Sequence, residues 1–477
     1  MINDSLFIGQ LSEPRYPDSK YYSPSQRYPE YMFSDIESSR NEVYEVLRQG
    51  LFELGFDVTN YGSAQWNPFG EFIKEGDAVL IKPNWVFHKN REPIFGEMEC
   101  MVTHPSIIRV VVDYVVIALK GTGRIVIGDS PIQLCDFPFL MEHHGYNHLW
   151  QYYEDKGVQL EVVDFRGVVG SIPKDSTFDY SIEDGIGVEV DLGTSSLFDS
   201  VDMKQNLRIT NYSPAELGKH HTDLRHRYSI HPFVLDADVI INLPKPKSHR
   251  KAGVTACLKN FVGINARKEC LPHHKKYSQE EGGDEYLRKS KLRRFGSDLQ
   301  DKYLLAAFDK KPYTKSLALA TAIINKISRI LSRDNFTEGS WYGNDTIWRT
   351  IIDLFTIIQY SDKKGTIQNI PQRKIFNICD MVVAGEKEGP LSPSPKPVGI
   401  LLMGSNSLHC DFTICKIFGC DYTRIKYLNY LFHQITEDGE AIEVIYNMKH
   451  LELEDFCPLV EWKIEFSKGW QHYLTSI

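Results

Sequence analysis

The chain is poor in the features that mark a membrane span, a disulfide framework or a nucleotide fingerprint. Its best apolar stretch, Val110 to Leu119, carries Asp113 and falls well short of the roughly 20 residues a spanning helix needs, so any membrane contact would be peripheral. The N-terminus, MINDSLFIGQL, lacks the basic region and long apolar core of a signal peptide, and a cytoplasmic location is expected. Cysteine is scarce and scattered: nine residues, an odd number with no CxxC pair, which favours a reducing compartment over a disulfide scaffold. No glycine fingerprint for a dinucleotide follows a strand-like run and no GxxxxGK sequence occurs, which argues against ordinary hydride transfer and P-loop chemistry. Nor is positive charge in excess. With a net charge of -9 and a pI near 6.0, no nucleic-acid partner is expected, whereas a local cationic pocket on an acidic body suits a small anion.

What is present is a large α/β pattern. The 477 residues, 42% hydrophobic, can bury a large core. Val43, Val46, Leu47, Leu51 and Leu54 recur at helical spacing before Gly55, and a strand follows over Ala78 to Ile81. A helix from Thr103, His104 and Pro105 to Gly121 precedes strands at Ile125 to Ile127 and Leu160 to Val163. This alternation predicts a mostly parallel sheet with flanking helices, with the loops after Ile81, Ile127 and Ile241 on one edge. Residues 166–235 are rich in Gly, Ser and Asp, and short alternating stretches there predict antiparallel additions. The expected organisation is an N-terminal arm and helix (1–74), a first core part (75–264), a charged helical insertion acting as a cap (265–344), a second core part (345–430) and a C-terminal packing segment (431–477). Within the insertion, Leu317, Ala320, Ile324, Ile327 and Leu331 form a helix stripe. The basic run Arg288, Lys289, Lys291, Arg293 and Arg294 reads as a solvated face or a meeting point for a membrane or acidic partner.

The richest stretch is VIINLPKPKSHRKAGVTACLKNFVGI, residues 239–264. Val239 to Ile241 suit a buried strand, and Pro244 and Pro246 cannot continue a central ladder. Lys245, Lys247 and His249 alternate across the prolines, so an extended segment would align them as a cationic comb. If Gly253 opens a helix, Thr255 and Lys259 share a face with Asn260 beside them. Lys82 and Asn84 leave the strand at 78–81, and Asp129 leaves the next. In open α/β sheets the crevice beyond the strand C-termini holds ligands. These residues divide into candidate catalytic groups, His249, Lys247 and Asp129, and candidate substrate binders, Lys82, Asn84, Lys245, Thr255, Lys259 and Asn260. Arg349 joins the binders, one turn from Asp353 on a helix capped by Asn344 or Asp345, where it would hold a carboxylate or phosphate unless it simply pairs with Asp353. His273, His274 and Asp284 form a candidate site for zinc, manganese or magnesium, with capping and loop hydrogen bonding as the alternative. Cys410, Cys415 and Cys420 are five residues apart among core types and lack the tight spacing of an iron–sulfur cluster, which is not expected.

The succession of VLIKPNW, THPSIIR, GDSP, the 239–264 stretch, LPHH, GGDEY, WYGNDTIWRTIIDL, AGEKEGPL and GSNSLHCDFTICKIFGCD resembles the family catalogued as domain of unknown function 362, over about Glu75 to Leu428. The resemblance implies an α/β domain, some of whose relatives carry fused iron–sulfur modules, and the long form is similar to members linked with surface-polysaccharide genes. The resulting expectation is an enzyme acting on an anionic small metabolite: a sugar phosphate, nucleotide sugar or carboxylate. Lys and Arg would bind the anion, with His/Asp acid–base or metal-assisted chemistry. The alternatives are a non-catalytic binding or scaffold protein and a racemase or epimerase working through a carbanion. The oligomeric state stays open.

Overall fold

Alternate residues of three apolar runs go to opposite faces of one sheet. In the computed structural model, which describes residues 4–91, 98–171, 179–183, 185–202, 204–435 and 441–475, that sheet has eleven strands. In chain order they are β1 (Leu6–Gln10), β2 (Ala78–Pro83), β3 (Arg124–Asp129), β4 (Glu161–Asp164), β5 (Val239–Leu243), β6 (Lys247–His249), β7 (Gly253–Thr255), β8 (Lys374–Glu388), β9 (Ser392–Gly404), β10 (Glu443–Tyr446) and β11 (Lys449–Glu452). Their order across the sheet is β11, β10, β1, β9, β8, β5, β2, β3, β4, with the β6–β7 hairpin set against β8. The stretch from β8 to β4 is parallel. The long β8–β9 hairpin turns the rest into a mixed sheet.

The pleat divides the core in two. Val79, Ile81, Val239, Ile241, Ile125 and Ile127 pack on one side, with α1 (Glu42–Glu53) and α2 (Pro105–Leu119). Leu80, Ile240 and Val126 pack on the other. The insertion contributes α3 (Lys291–Phe308) and α4 (Thr314–Ser332), and the second core part adds α5 (Ile347–Tyr360) and α6 (Ser407–Phe418), both packed in the Leu80 side of the core. Asn41 caps α1, its carboxamide oxygen accepting from Tyr44 N, and Gly419, at φ +74°, closes α6 as its position after the helical run predicts. The antiparallel additions expected in 166–235 are present as 168–171 with 179–182 and 188–191 with 227–230.

Three local readings are corrected. The N-terminal arm is not only an arm: β1 lies inside the sheet between β9 and β10, too short for its alternation to stand out. The C-terminal packing segment, 431–477, extends the main sheet as well, through the β10–β11 hairpin. Gly253 opens strand β7, at φ +83°, and the helical turn begins only at Cys257.

Because Phe7 sits under α1 where Gly50 leaves room for it, truncation in Phe7→Ala is expected to cost about 3–5 kcal/mol. A urea midpoint equal to that of the wild type would show that β1 lies outside the cooperative core.

Candidate functional site

At the C-terminal edge of the parallel strands one polar rung crosses the sheet. Asn242 on β5 stands in register with Lys82 on β2 and Asn377 on β8. Its amide donates to Asn377 Oδ1 at 2.9 Å, and its own oxygen accepts from Asn260 Nδ2 at 2.8 Å. Asn260 Oδ1 accepts from Asn84 Nδ2 at 2.7 Å, and Asn84 Oδ1 accepts from Lys247 Nζ at 2.8 Å. Each carboxamide gives and accepts, so the chain fixes the amide orientations one from the next.

Beside this chain the Lys82 ammonium and the Asp129 carboxylate form a buried ion pair at 2.7 Å. Asp129 also accepts N–H bonds from Trp85 and Ser130, at 2.5 and 2.8 Å. Its oxygens are therefore already committed, which makes it a positioning group. Gly263 crosses directly over the pair: a Cβ there would lie 1.9 Å from Asp129 Oδ1 and 2.7 Å from Lys82 Nζ.

Of these residues Asn84, Asn260, Lys247, Asp129 and Gly263 line a chamber of about 240 Å³. Its lining includes six cationic side chains, Arg91, Lys247, Arg250, Lys251, Lys259 and Lys268, against the carboxylates of Asp129 and Glu338. Burial drives the lysines towards neutrality. Lys259 is pushed down to about 7, first by burial and then by Lys268 and Lys251. Lys251 and Lys268 fall to about 8, chiefly through burial. Lys247 lies well below its usual range through burial and the neighbouring Lys245. The hydroxyls of Ser130 and Thr255, both buried in the wall, have no hydrogen-bond partner among the described residues.

The two chamber histidines present opposite ring edges. His249 Nδ1 accepts from the backbone N–H of Lys251 and Ala252, at 3.1 and 3.0 Å, so the neutral ring carries its proton on Nε2 and is a donor there. His273 Nδ1 lies 2.9 Å from Leu271 O, which requires the proton on Nδ1 and leaves Nε2 as an acceptor. Burial holds both imidazoles well below the usual range, with the surrounding lysines adding to the effect, so both are neutral at pH 7.

Of the candidates read from the sequence, Asn84, Asp129, Lys247, His249, Thr255, Lys259 and Asn260 line the chamber, together with His273. The comb is broken at Lys245, which turns to a separate buried cluster with Asp380 at 3.1 Å and the Tyr16 hydroxyl; Lys247, paired with Gly385 of β8, starts a new strand and reaches Asn84 instead. Lys82 lies beneath the wall. Arg349 pairs with Asp345 at 3.2 Å and donates to Leu197 O, while Asp353 accepts from Ser196, Leu197 N and Tyr228. Asp284 accepts from Lys275 N, Asp345 N and Thr346 Oγ1, and it does not converge with His273 and His274. Lys251, Lys268, Ser130 and Glu338 were not singled out from the sequence. Lys251 stands in the same basic motif, and Ser130 in the GDSP strand exit.

Among the described residues, the group of three ligating side chains close enough to share an ion is Cys257, Cys379 and Cys410, whose sulfurs lie within 4.8 Å of one another. They sit in the core below the Asn chain, and burial raises the thiols of Cys257 and Cys379 well above their usual range, so these pack as small apolar S–H groups.

The family described as Domain of unknown function (DUF362) matches residues 79–179 and 194–416. A thylakoid-associated protein of Synechocystis sp. is 28% identical over 203 residues, 43% of this chain and 42% of its own length. The chain thus spans less than half of that relative. A crystal structure of a Thermotoga maritima protein covers 82% of this chain and 59% of its own, at 10% identity and a TM-score of 0.29, too low to support an argument about fold.

Placing a methyl over the ion pair in Gly263→Ala is expected to separate Lys82 from Asp129, at a cost of about 3–5 kcal/mol for a broken buried pair. Denaturation at wild-type stability would show that the crossing is looser than this geometry requires.

Proposed function

The chain belongs to the family described as Domain of unknown function (DUF362), whose matched residues include every side chain lining the chamber, and we propose that this chamber is the active site of an enzyme for a small anionic metabolite. The observation that carries the reading is the lysine excess: the buried Lys259 and the half-buried Lys251 and Lys268 crowd one wall, their ammonium groups pushed towards neutrality. A phosphate or carboxylate would supply the missing negative charge and restore their protons. Ser130 and Thr255 add unpartnered hydroxyls for its oxygens. Drug-sized ligands occupy roughly 300–1,000 Å³, so about 240 Å³ favours a sugar phosphate or small carboxylate over a nucleotide sugar.

The chemistry assigned to the site is proton transfer. The Nε2 of His273, an acceptor, is the base at neutral pH, with Lys259 holding the bound anion in its ammonium form, while His249 Nε2–H is a donor suited to an oxygen gaining negative charge. The same pairing supports the carbanion route, in which a base removes a proton next to a carbonyl and His249 holds the oxyanion. A role in surface-polysaccharide metabolism is part of this proposal, as is a cytoplasmic location, supported by nine cysteines that form no disulfide among the described residues. No helix among the described residues is long and apolar enough to cross a membrane. The thylakoid association named for the relative is consistent with a peripheral seat.

A thermal-shift screen of inorganic phosphate, pyrophosphate, sugar phosphates and small carboxylates tests the binding. A ligand at roughly 100 times its Kd should stabilise by about 2.7 kcal/mol, and Lys259→Met or Lys268→Met should weaken it by about 10- to 100-fold. Unchanged affinity in both variants refutes the site. Conversion of the bound compound, or exchange of solvent deuterium into it, that is lost in His273→Ala with binding retained supports catalysis; binding without either leaves a sensor or scaffold.

Stability should also follow pH in a set direction. Folding lowers Lys259 from 10.5 to about 7, so between these values the unfolded chain binds more protons and the free protein gains stability as pH rises. In Lys259→Met the gain measured by chemical denaturation between pH 7 and 9 should be smaller; an unchanged slope would show that Lys259 is not the depressed group.

A further inference from the structure

The second helix of the insertion turns much of its apolar surface away from its partner. α4 turns Thr314, Thr321 and Ser328 inward, all buried. Leu317 packs against Tyr303, Leu304 and Ala307 of α3, but five large apolar side chains face out: Leu319 is 65% exposed, Ile323 48%, Ile327 43%, Ile330 68% and Leu331 71%. At 100° per residue these five fall within about one third of the helix circumference, a continuous stripe. Close packing against α3 holds the helix in this orientation, since Gly296 admits Asn325 to within 2.3 Å of where a Cβ would be. The stripe is therefore the designed outer face, and such a face marks an interaction site.

The charges beside it select the occupant. Lys326, Arg329 and Arg333 are exposed along one flank of the stripe, and Thr314–Ser332 contains no Asp or Glu. This lies on a chain whose net charge is -9. A second copy docked on the stripe would bring two basic flanks together with no acid on α4 to answer them, whereas anionic headgroups beside acyl chains complement both halves of the face. We propose that α4 lies in the plane of an anionic membrane surface, its Leu and Ile side chains entering the acyl boundary and its Lys and Arg side chains meeting lipid phosphates. The seat is independent of the chamber reading.

Flotation of the full chain with vesicles tests it. Wild-type protein should float with equimolar phosphatidylcholine and phosphatidylglycerol, remain below with phosphatidylcholine alone, and lose binding as salt is raised. The Ile323→Glu, Ile330→Glu double variant, altered only at exposed positions, should bind the anionic vesicles at least about tenfold more weakly with an unchanged melting temperature. Lys259→Met should float like the wild type, which separates this face from anion capture in the chamber. Wild-type protein that stays with neither vesicle, or a solution dimer that dissociates in the double variant, overturns the proposal, the latter by assigning the stripe to a second copy.

Discussion

Crowding lysine ammonium groups into one chamber wall, with Asp129 and Glu338 as its lining carboxylates, is the constraint around which the rest of the structure is arranged. An ammonium out of water is costly unless it is paired, hydrogen-bonded or neutral. The molecule uses all three responses. Lys82 and Lys245 are each answered by a carboxylate, Asp129 and Asp380, and these pairs are built into the core. Lys247 is tethered to the carboxamide of Asn84. Lys251 donates to Thr210 Oγ1 at 2.8 Å, and it, Lys247, Lys259 and Lys268 also lower their affinity for protons. This division separates lysines paired with a core carboxylate from lysines gathered in the chamber wall.

The Asn chain from Asn377 to Asn84 links the two groups. It joins β8 and β5 to the turn after Cys257 and to the exit of β2, so the lysine-bearing loops take their positions from the register of the central strands. A site on a rigid floor needs little rearrangement to receive a ligand, and that lowers the ordering cost of binding.

Much of this was legible in the sequence where periodicity or strand-exit chemistry carried the signal. The helix at 105–119 and the strands at 78–83, 124–129 and 239–243 follow from apolar spacing, and the polar exits of all three converge as the parallel topology requires. What escaped depends on long-range geometry. Lys245 and Lys247 are two residues apart with the same local chemistry, yet the intervening Pro246 and the start of β6 send them to different clusters. Arg349 found a partner in Asp345 on the same helix end, and Asp284 was taken up by three local donors. Lys268 and Glu338 reach the chamber only because the insertion folds back over the core. The insertion thus closes the chamber on one side and carries the outward apolar stripe of α4 on another, and the helix spacing alone did not say which residues of that stripe face out.

The central claim, a chamber of proton-depleted lysines held ready for an anion, is tested most directly by titration calorimetry at pH 8. Pyrophosphate or a sugar phosphate that binds would be titrated in two buffers of different ionisation enthalpy. The account predicts net proton uptake on binding, because the arriving anion restores the ammonium form of Lys259 and its neighbours. Binding with no proton exchange, or with proton release, contradicts it.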